Sequence, residues 1–448
     1  GAELPADAPP RGVNDLNLTE TYLLLFVMLA VVAVVSVLFK GKNGLISPMI
    51  FVAGLITALV AGMGFRLREV TEGPFVYVDN LMWVLCGAIF VYALYLNGTF
   101  QFLFDKWRGA KLGPVARLFV LILFLGLPGM LTGTALASVA TTGLIVGRYL
   151  LDKGIEKTKV VEVVTMGSLF GMLLPPLCVP AMAFAIARQG LYPASFEGFF
   201  LPILVLTLPA LIVYCALSGR RLLEGADAEE QVEKKGGAVC LIPLLVVAVL
   251  VICHNFLYFV MPFLGYPVIY VIGFVLALIF KCQGVNALTA ASEGIRTVAI
   301  ELAMILAFAS AIEVFNTVGV NGTLAAQIKI AGVNSTLMSL VFALLLLVGG
   351  AVLGTPFAYT LGAVAVYQVS NANYTTGSEL LMMALGVTVA LTMLLSLRGG
   401  IADSVCQQLG VAGVTGPGIA KRNVITVLLL LVAVVVFLCA SGLSVLMI

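Results

Sequence analysis

The chain has 448 residues, of which 61% are hydrophobic and only 10% charged, and its mean hydropathy is +1.14. A soluble domain carries roughly 25% charged residues, so this composition excludes an ordinary soluble fold and defines an integral membrane protein. The net charge of +2 offers no footprint for nucleic acid, and with one histidine, His254, no His-built metal site is available.

Taken in chain order, residues 1–19 form a polar tail. Its proline-rich part (Pro5, Pro9, Pro10) lacks the basic start and cleavage site of a signal peptide, so an exposed segment is expected. Residues 21–39 and 424–446 are uncharged apolar runs of spanning length. Apolar runs predict spans at about 20–39, 45–64, 80–104, 160–188 and 196–218, then 238–259, 264–282, 296–320, 378–405 and 422–446. Two further apolar regions, 115–150 and 335–372, are long for one span each. Each is drawn as a hairpin that enters and leaves on one side. A charged stretch, 219–237, separates a first repeat (20–218) from a second (238–448) and reads as a cytoplasmic linker. The fold class expected is an all-α membrane protein, an inverted repeat of five spans plus one re-entrant helical hairpin per half. Five is an odd number of crossings, so the second half starts on the opposite side and the halves are inverted.

Basic residues test this drawing, because Lys and Arg concentrate in cytoplasmic loops. Eighteen fall on one side, among them Lys106, Arg117, Lys157, Arg220, Arg221, Lys421 and Arg422. Five fall on the other: Arg11, Arg66, Arg68, Arg188 and Lys329. The first side is therefore cytoplasmic, with both termini outside.

The two hairpins share a signature. Leu131-Thr132-Gly133-Thr134-Ala135 sits in the first and Leu353-Gly354-Thr355-Pro356 in the second, the Gly-Thr pairs lying 221 residues apart (354 against 133). Each precedes an apolar span broken in the middle, at Pro175-Pro176 and at Gly399-Gly400. Broken helices in hydrocarbon leave backbone groups that protein, ions or substrate must satisfy, and paired interruptions in two halves point to a transporter's binding site. Thr132, Gly133, Thr134, Ser138, Thr141 and Thr142 place small residues and hydroxyls along the first hairpin, and Gly349, Gly350, Gly354, Thr355 and Thr360 do so in the second. Carbonyls and hydroxyls suit a hard cation, although small residues also serve plain packing between membrane helices.

Ser138, Thr141, Thr142 and Thr360 add hydroxyls along the hairpins and are candidate substrate contacts. Glu301, Glu313, Arg398 and Asp403 are ionisable groups within spans and functional candidates by cost. Arg398, at a helix break, suits a substrate carboxylate because a guanidinium binds it bidentately; pairing with Asp403 or Glu313 is the alternative. Eight cysteines without CxxC spacing read as buried thiols. No phosphate loop, His-Glu-x-x-His or Gly-x-Ser-x-Gly occurs, so ATP hydrolysis and protease chemistry lack their parts, and the chain reads as a non-enzyme.

The run Thr132-Gly133-Thr134-Ala135-Leu136-Ala137-Ser138-Val139-Ala140-Thr141-Thr142-Gly143 is followed by Met166-Gly167-Ser168-Leu169-Phe170-Gly171 and Leu173-Leu174-Pro175-Pro176. It resembles the large membrane subunit of tripartite ATP-independent periplasmic (TRAP) transporters, within the ion-transporter superfamily. Leu353-Gly354-Thr355-Pro356-Phe357-Ala358-Tyr359-Thr360 looks like that family's second hairpin, in the branch that pairs with TAXI-type binding proteins. The sequence departs from the family at Leu397-Arg398, where a proline pair is usual. The resemblance implies a sodium-coupled importer of small organic acids in the bacterial inner membrane, moving its hairpin domain as an elevator. It also implies one sodium site at Thr132, Gly133, Thr134, Gly171, Pro175 and Pro176, and a second at Gly350, Gly354, Thr355, Ser396, Gly399 and Gly400; sodium ions are the coupling ion and no other cofactor is implied. A periplasmic substrate-binding protein and a small four-span membrane subunit are the implied partners. The rivals are a stand-alone carrier or antiporter of the same superfamily and a scaffold without transport. A channel has no visible filter segment or charged ring.

Overall fold

The computed structural model describes residues 18–38, 43–62, 64, 67–174, 196–224, 237–256, 264–280, 283–320, 322–323, 326, 330, 335–353, 378–397 and 399–444. Among these residues every element is helical. The predicted spans fall on α1 (Leu18–Leu38), α2 (Asn43–Val60), α4 (Val78–Asn97), α9 (Lys157–Leu173), α10 (Phe196–Leu222), α11 (Ile242–Phe256), α12 (Tyr266–Ile279), α13 (Ala287–Val318), α15 (Ser378–Leu395) and α18 (Val424–Ser444). Between them lie α3 (Leu67–Glu72), α5 (Thr99–Arg108), α6 (Pro114–Thr132), α7 (Ala135–Ser138), α8 (Leu144–Asp152), α14 (Ser335–Leu353), α16 (Ile401–Leu409) and α17 (Gly416–Arg422). The first tail and most of the linker lie outside the described residues.

Two boundaries differ from the sequence reading, each for a local reason. The span drawn to 104 stops at Asn97, where Gly98 takes φ +85° and the chain turns by 60° into α5. That helix buries Phe100, Phe104 and Trp107 while carrying Gln101, Lys106 and Arg108, the pattern of an element lying along a boundary. The span drawn from 296 begins at 287, because Asn286 caps α13 by accepting from the Leu288 and Thr289 N–H groups.

The first hairpin is present. Helix α6 ends at Thr132, Gly133 takes φ +73°, and the chain runs back through α7, a π-helical turn at Val139–Gly143 and α8. A 19-residue arm rises about 28 Å, close to the ~30 Å of a hydrocarbon core, so length alone would let α6 cross. Contacts near its start show where the return ends. Trp107 donates its indole N–H to the Arg117 carbonyl (2.9 Å) and stacks under the Arg117 guanidinium (4.6 Å). The same ring meets Tyr149 edge-on at 6.4 Å. Both ends of the hairpin therefore lie at one end of the bundle.

Of the region 335–372, drawn as the second hairpin, only α14 lies among the described residues. Arms α6 and α14 are each 19 residues and begin 221 residues apart (335 against 114), and the helices that follow, α9 and α15, begin at the same interval (378 against 157). In both halves the arm packs on that following helix.

Candidate functional site

Helix α6 is defective by sequence, and the defect builds the site. Pro128 inside it has no N–H to donate. The neighbouring Gly129 N–H is met by the Ser138 hydroxyl (2.8 Å), and the Leu125 carbonyl by the Thr142 hydroxyl (2.9 Å). The returning arm thus repairs the outgoing one. Close approach is allowed by glycine: a Cβ on Gly126 would sit 2.8 Å from the Gly171 Cα, and one on Gly129 would meet Ser138 Oγ at 2.9 Å. Gly171 places no side chain between α9 and α6, so its function in the structure is proximity. Thr141 bonds back to the Ala137 carbonyl (2.6 Å) inside its own helix.

At the tip, Thr132 Oγ1 donates to the Pro128 carbonyl (2.8 Å) and lies 3.2 Å from Thr134 Oγ1. Thr134 caps the returning arm, its hydroxyl accepting from the Ala137 N–H (3.4 Å), and its own N–H donates to Thr132 Oγ1 (3.2 Å). All these side chains are buried. Four carbonyls end a helix without intrahelical partners. Here the Gly129 carbonyl takes the Gly133 N–H (2.7 Å) and the Leu131 carbonyl takes the Tyr270 hydroxyl (2.5 Å). The Met130 and Thr132 carbonyls receive no donor among the described residues. Two hydroxyls and two open carbonyls at the negative end of a helix dipole form an oxygen-rich cluster with cation polarity.

The second break is assembled from three elements. The Leu397 N–H donates to the Ala351 carbonyl of α14 (3.1 Å), next to buried Gly350. Gly399 takes φ +67°, and its N–H is held by the Asp403 carboxylate (2.8 Å), so Asp403 pins the turn from within. Gly400 has no room for a side chain, since a Cβ would lie 2.6 Å from the Met393 carbonyl. Ser396 is buried at the end of α15. Helix α16, which leaves this break, packs against α7, the π-helical turn, α8 and α9. The structure therefore brings the second break alongside the first hairpin. Pro175, Pro176, Gly354, Thr355, Thr360 and Arg398 lie outside the described residues.

Three residues were not singled out from sequence. Tyr270 stacks on Phe90 (5.9 Å) and reaches the hairpin tip from the second half. A tyrosine in an apolar span carries no spacing signal. Glu162, on α9, is 0% exposed, with Oε1 accepting from Asn423 (2.9 Å) and from Arg221, and with the Arg422 guanidinium 3.9 Å from Oε2. Its signal was legible: a carboxylate inside an apolar run, obscured by the lysines just before it. Asn423, at a 92° bend between α17 and α18, also accepts from Ser218 (3.3 Å). The side chains of Glu313 and His254 are only partly buried, and His254 meets Tyr266 edge-on at 4.9 Å.

No protein-family model matches the chain. No curated protein matches it either. Among solved structures the chain is similar to the YdaH transporter of Alcanivorax borkumensis, described as having an unusual topology, with 14% identity and a TM-score of 0.55 over 95% of this chain and 98% of that one. It is also similar to MtrF of Neisseria gonorrhoeae, placed in a class of antimetabolite efflux pumps, with 12% identity and a TM-score of 0.54 over 94% and 97%. At such identities the likeness defines a fold, shared nearly end to end. It does not reach the tripartite family in particular.

Proposed function

We propose that the chain is a secondary transporter that uses a sodium gradient to move a small organic acid across the inner membrane. The observation that carries this reading is the first hairpin tip. Buried Thr132 and Thr134 hydroxyls, and Met130 and Thr132 carbonyls that receive no donor among the described residues, lie where a helix presents its negative end. That donor set is hard, oxygen-only and uncharged, which suits a monovalent cation better than a divalent one. End-to-end likeness to two transporters supports transport as the class of activity. Packing of α16 against the hairpin supports one shared substrate region, with Asp403 and Ser396 on one side and the hairpin hydroxyls on the other. Ser138 and Thr142 hold the hairpin in shape, while Thr360 and Arg398 are the proposed substrate contacts. The second proposed sodium site uses Gly350, Gly354, Thr355 and the Ser396–Gly400 turn. Opposed hairpins in inverted halves, and an elevator movement of the hairpin domain, complete this reading.

A second reading is favoured by MtrF, which is described as an efflux pump. A stand-alone carrier would need neither a periplasmic binding protein nor a small membrane subunit. The purified chain reconstituted alone in liposomes separates the two. Sodium-driven flux of labelled carboxylates without any added protein supports the carrier; flux appearing only with a binding protein supports the tripartite importer. Thr134→Val is expected to weaken the apparent sodium affinity, read from thermal stabilisation, at least tenfold, or about 1.4 kcal/mol. Unchanged stabilisation in that variant removes the first site.

A further inference from the structure

The geometry points to a binding site for an anionic phospholipid headgroup at the basic end of the bundle, between the last turn of α10 and the α17–α18 bend. Glu162 fixes two guanidiniums there: Arg221 bonds its Oε1, and Arg422 stands 3.9 Å from its Oε2. Arg221 is further oriented by Ser218 (3.4 Å) and the Asn423 side-chain oxygen (3.5 Å). One carboxylate cannot neutralise two arginines. Each guanidinium offers five N–H donors, and the contacts to Glu162, Ser218 and Asn423 leave several unused. Both side chains remain open to the outside, Arg221 at 40% and Arg422 at 43% exposed, while Glu162 is sealed. Arg220 and Lys421, one residue back on each helix, are exposed and add to the positive field. The negative ends of α10 and α17 offset part of it, but four cations against one carboxylate leave an excess.

The surroundings select a lipid over a soluble anion. Helices α10 and α18 pack together and run from this basic mouth toward the apolar middle. Along them Leu217, Val424, Ile425 and Leu428 are each at least half exposed. A phosphodiester on the arginines with acyl chains along these residues matches both the charge and the apolar surface. Neighbouring Lys159 is engaged elsewhere, with Glu224 at 3.7 Å.

The test uses the full chain in neutral detergent, titrated with phosphatidylglycerol, phosphatidylcholine or soluble glycerophosphate, and read by native mass spectrometry and thermal unfolding. Phosphatidylglycerol is expected to bind and stabilise, and phosphatidylcholine not to. Arg422→Gln leaves the Arg221–Glu162 bond intact and is expected to weaken phosphatidylglycerol binding about fivefold. Lys421→Gln, whose side chain is exposed, provides a second variant expected to weaken it if Arg422→Gln fails to fold. Equal binding of both lipids, or unchanged binding in the folded variants, overturns the proposal. Equal stabilisation by glycerophosphate would overturn the lipid assignment and leave a site for free anions.

Discussion

At the scale of single residues, hydroxyl groups in the first hairpin divide by the partner each one serves. Ser138 accepts from a backbone donor, the Gly129 N–H, next to Pro128 in an apolar interior. Ser138→Ala should cost about 1–3 kcal/mol, the penalty for leaving a buried donor unmet, seen as a lower unfolding midpoint in detergent. Thr141 bonds a carbonyl of its own helix, a carbonyl that needs no second donor. Thr141→Val should accordingly be near neutral in the same measurement. Tyr270→Phe removes the hydroxyl from the Leu131 carbonyl and should cost about 1 kcal/mol. The sequence placed Thr132 and Thr134 at a hairpin tip, and the chain turns between them at Gly133, φ +73°. It could not rank Ser138, Thr141 and Thr142, since all three are hydroxyls on one arm. Which backbone group each meets depends on where the fold puts the opposite arm.

At the scale of elements, glycine decides how closely the arms approach. A side chain on Gly171 would intrude on the Gly126 backbone, which cannot move aside as a flexible side chain could. Gly171→Ala should destabilise by roughly 1–3 kcal/mol. Gly284→Ala, where a Cβ meets nothing within 4 Å and φ is unexceptional, is the matched control and should leave the unfolding midpoint unchanged. The hairpin path has its own test. With native cysteines replaced, single cysteines at Lys111 and Lys153 should react with an impermeant thiol reagent from the same face of the membrane. Reaction from opposite faces would overturn the hairpin, because residues 111–153 would then cross the membrane an odd number of times. Helix starts were largely legible: hydropathy placed most of them to within a few residues, since burying apolar length outweighs every other local preference of such a segment. The start of α13 was missed by nine residues (287 against 296) because its first turns carry Glu293 and Arg296, and a cap residue, Asn286, fixed the boundary instead.

At the scale of the whole molecule, polar contacts join the two halves at several places, among them Asn97 to the Phe280 carbonyl and Ser310 to the Val70 carbonyl. Tyr270 reaches from the second half to the first hairpin tip. Asn423 reaches from the second half to Glu162 and Ser218 in the first. Glu162→Ala should destabilise by less than the 3–5 kcal/mol of a fully buried broken pair, because Arg221 and Arg422 are more than a third exposed and water takes up their charge. A value of about 1–2 kcal/mol is expected from denaturant titration, and the Glu162→Leu, Arg221→Leu double variant should recover part of it.

Composition, the 221-residue interval and the basic asymmetry were properties of the chain as a string. From them followed an apolar helical protein with paired interruptions, because hydrophobic length and helix-breaking residues act locally. The partners of Glu162, Tyr270 and Asp403 were decided by the fold. Each satisfies a group far away in sequence or created by a bend, and a buried polar atom takes whichever donor or acceptor three-dimensional packing leaves within reach.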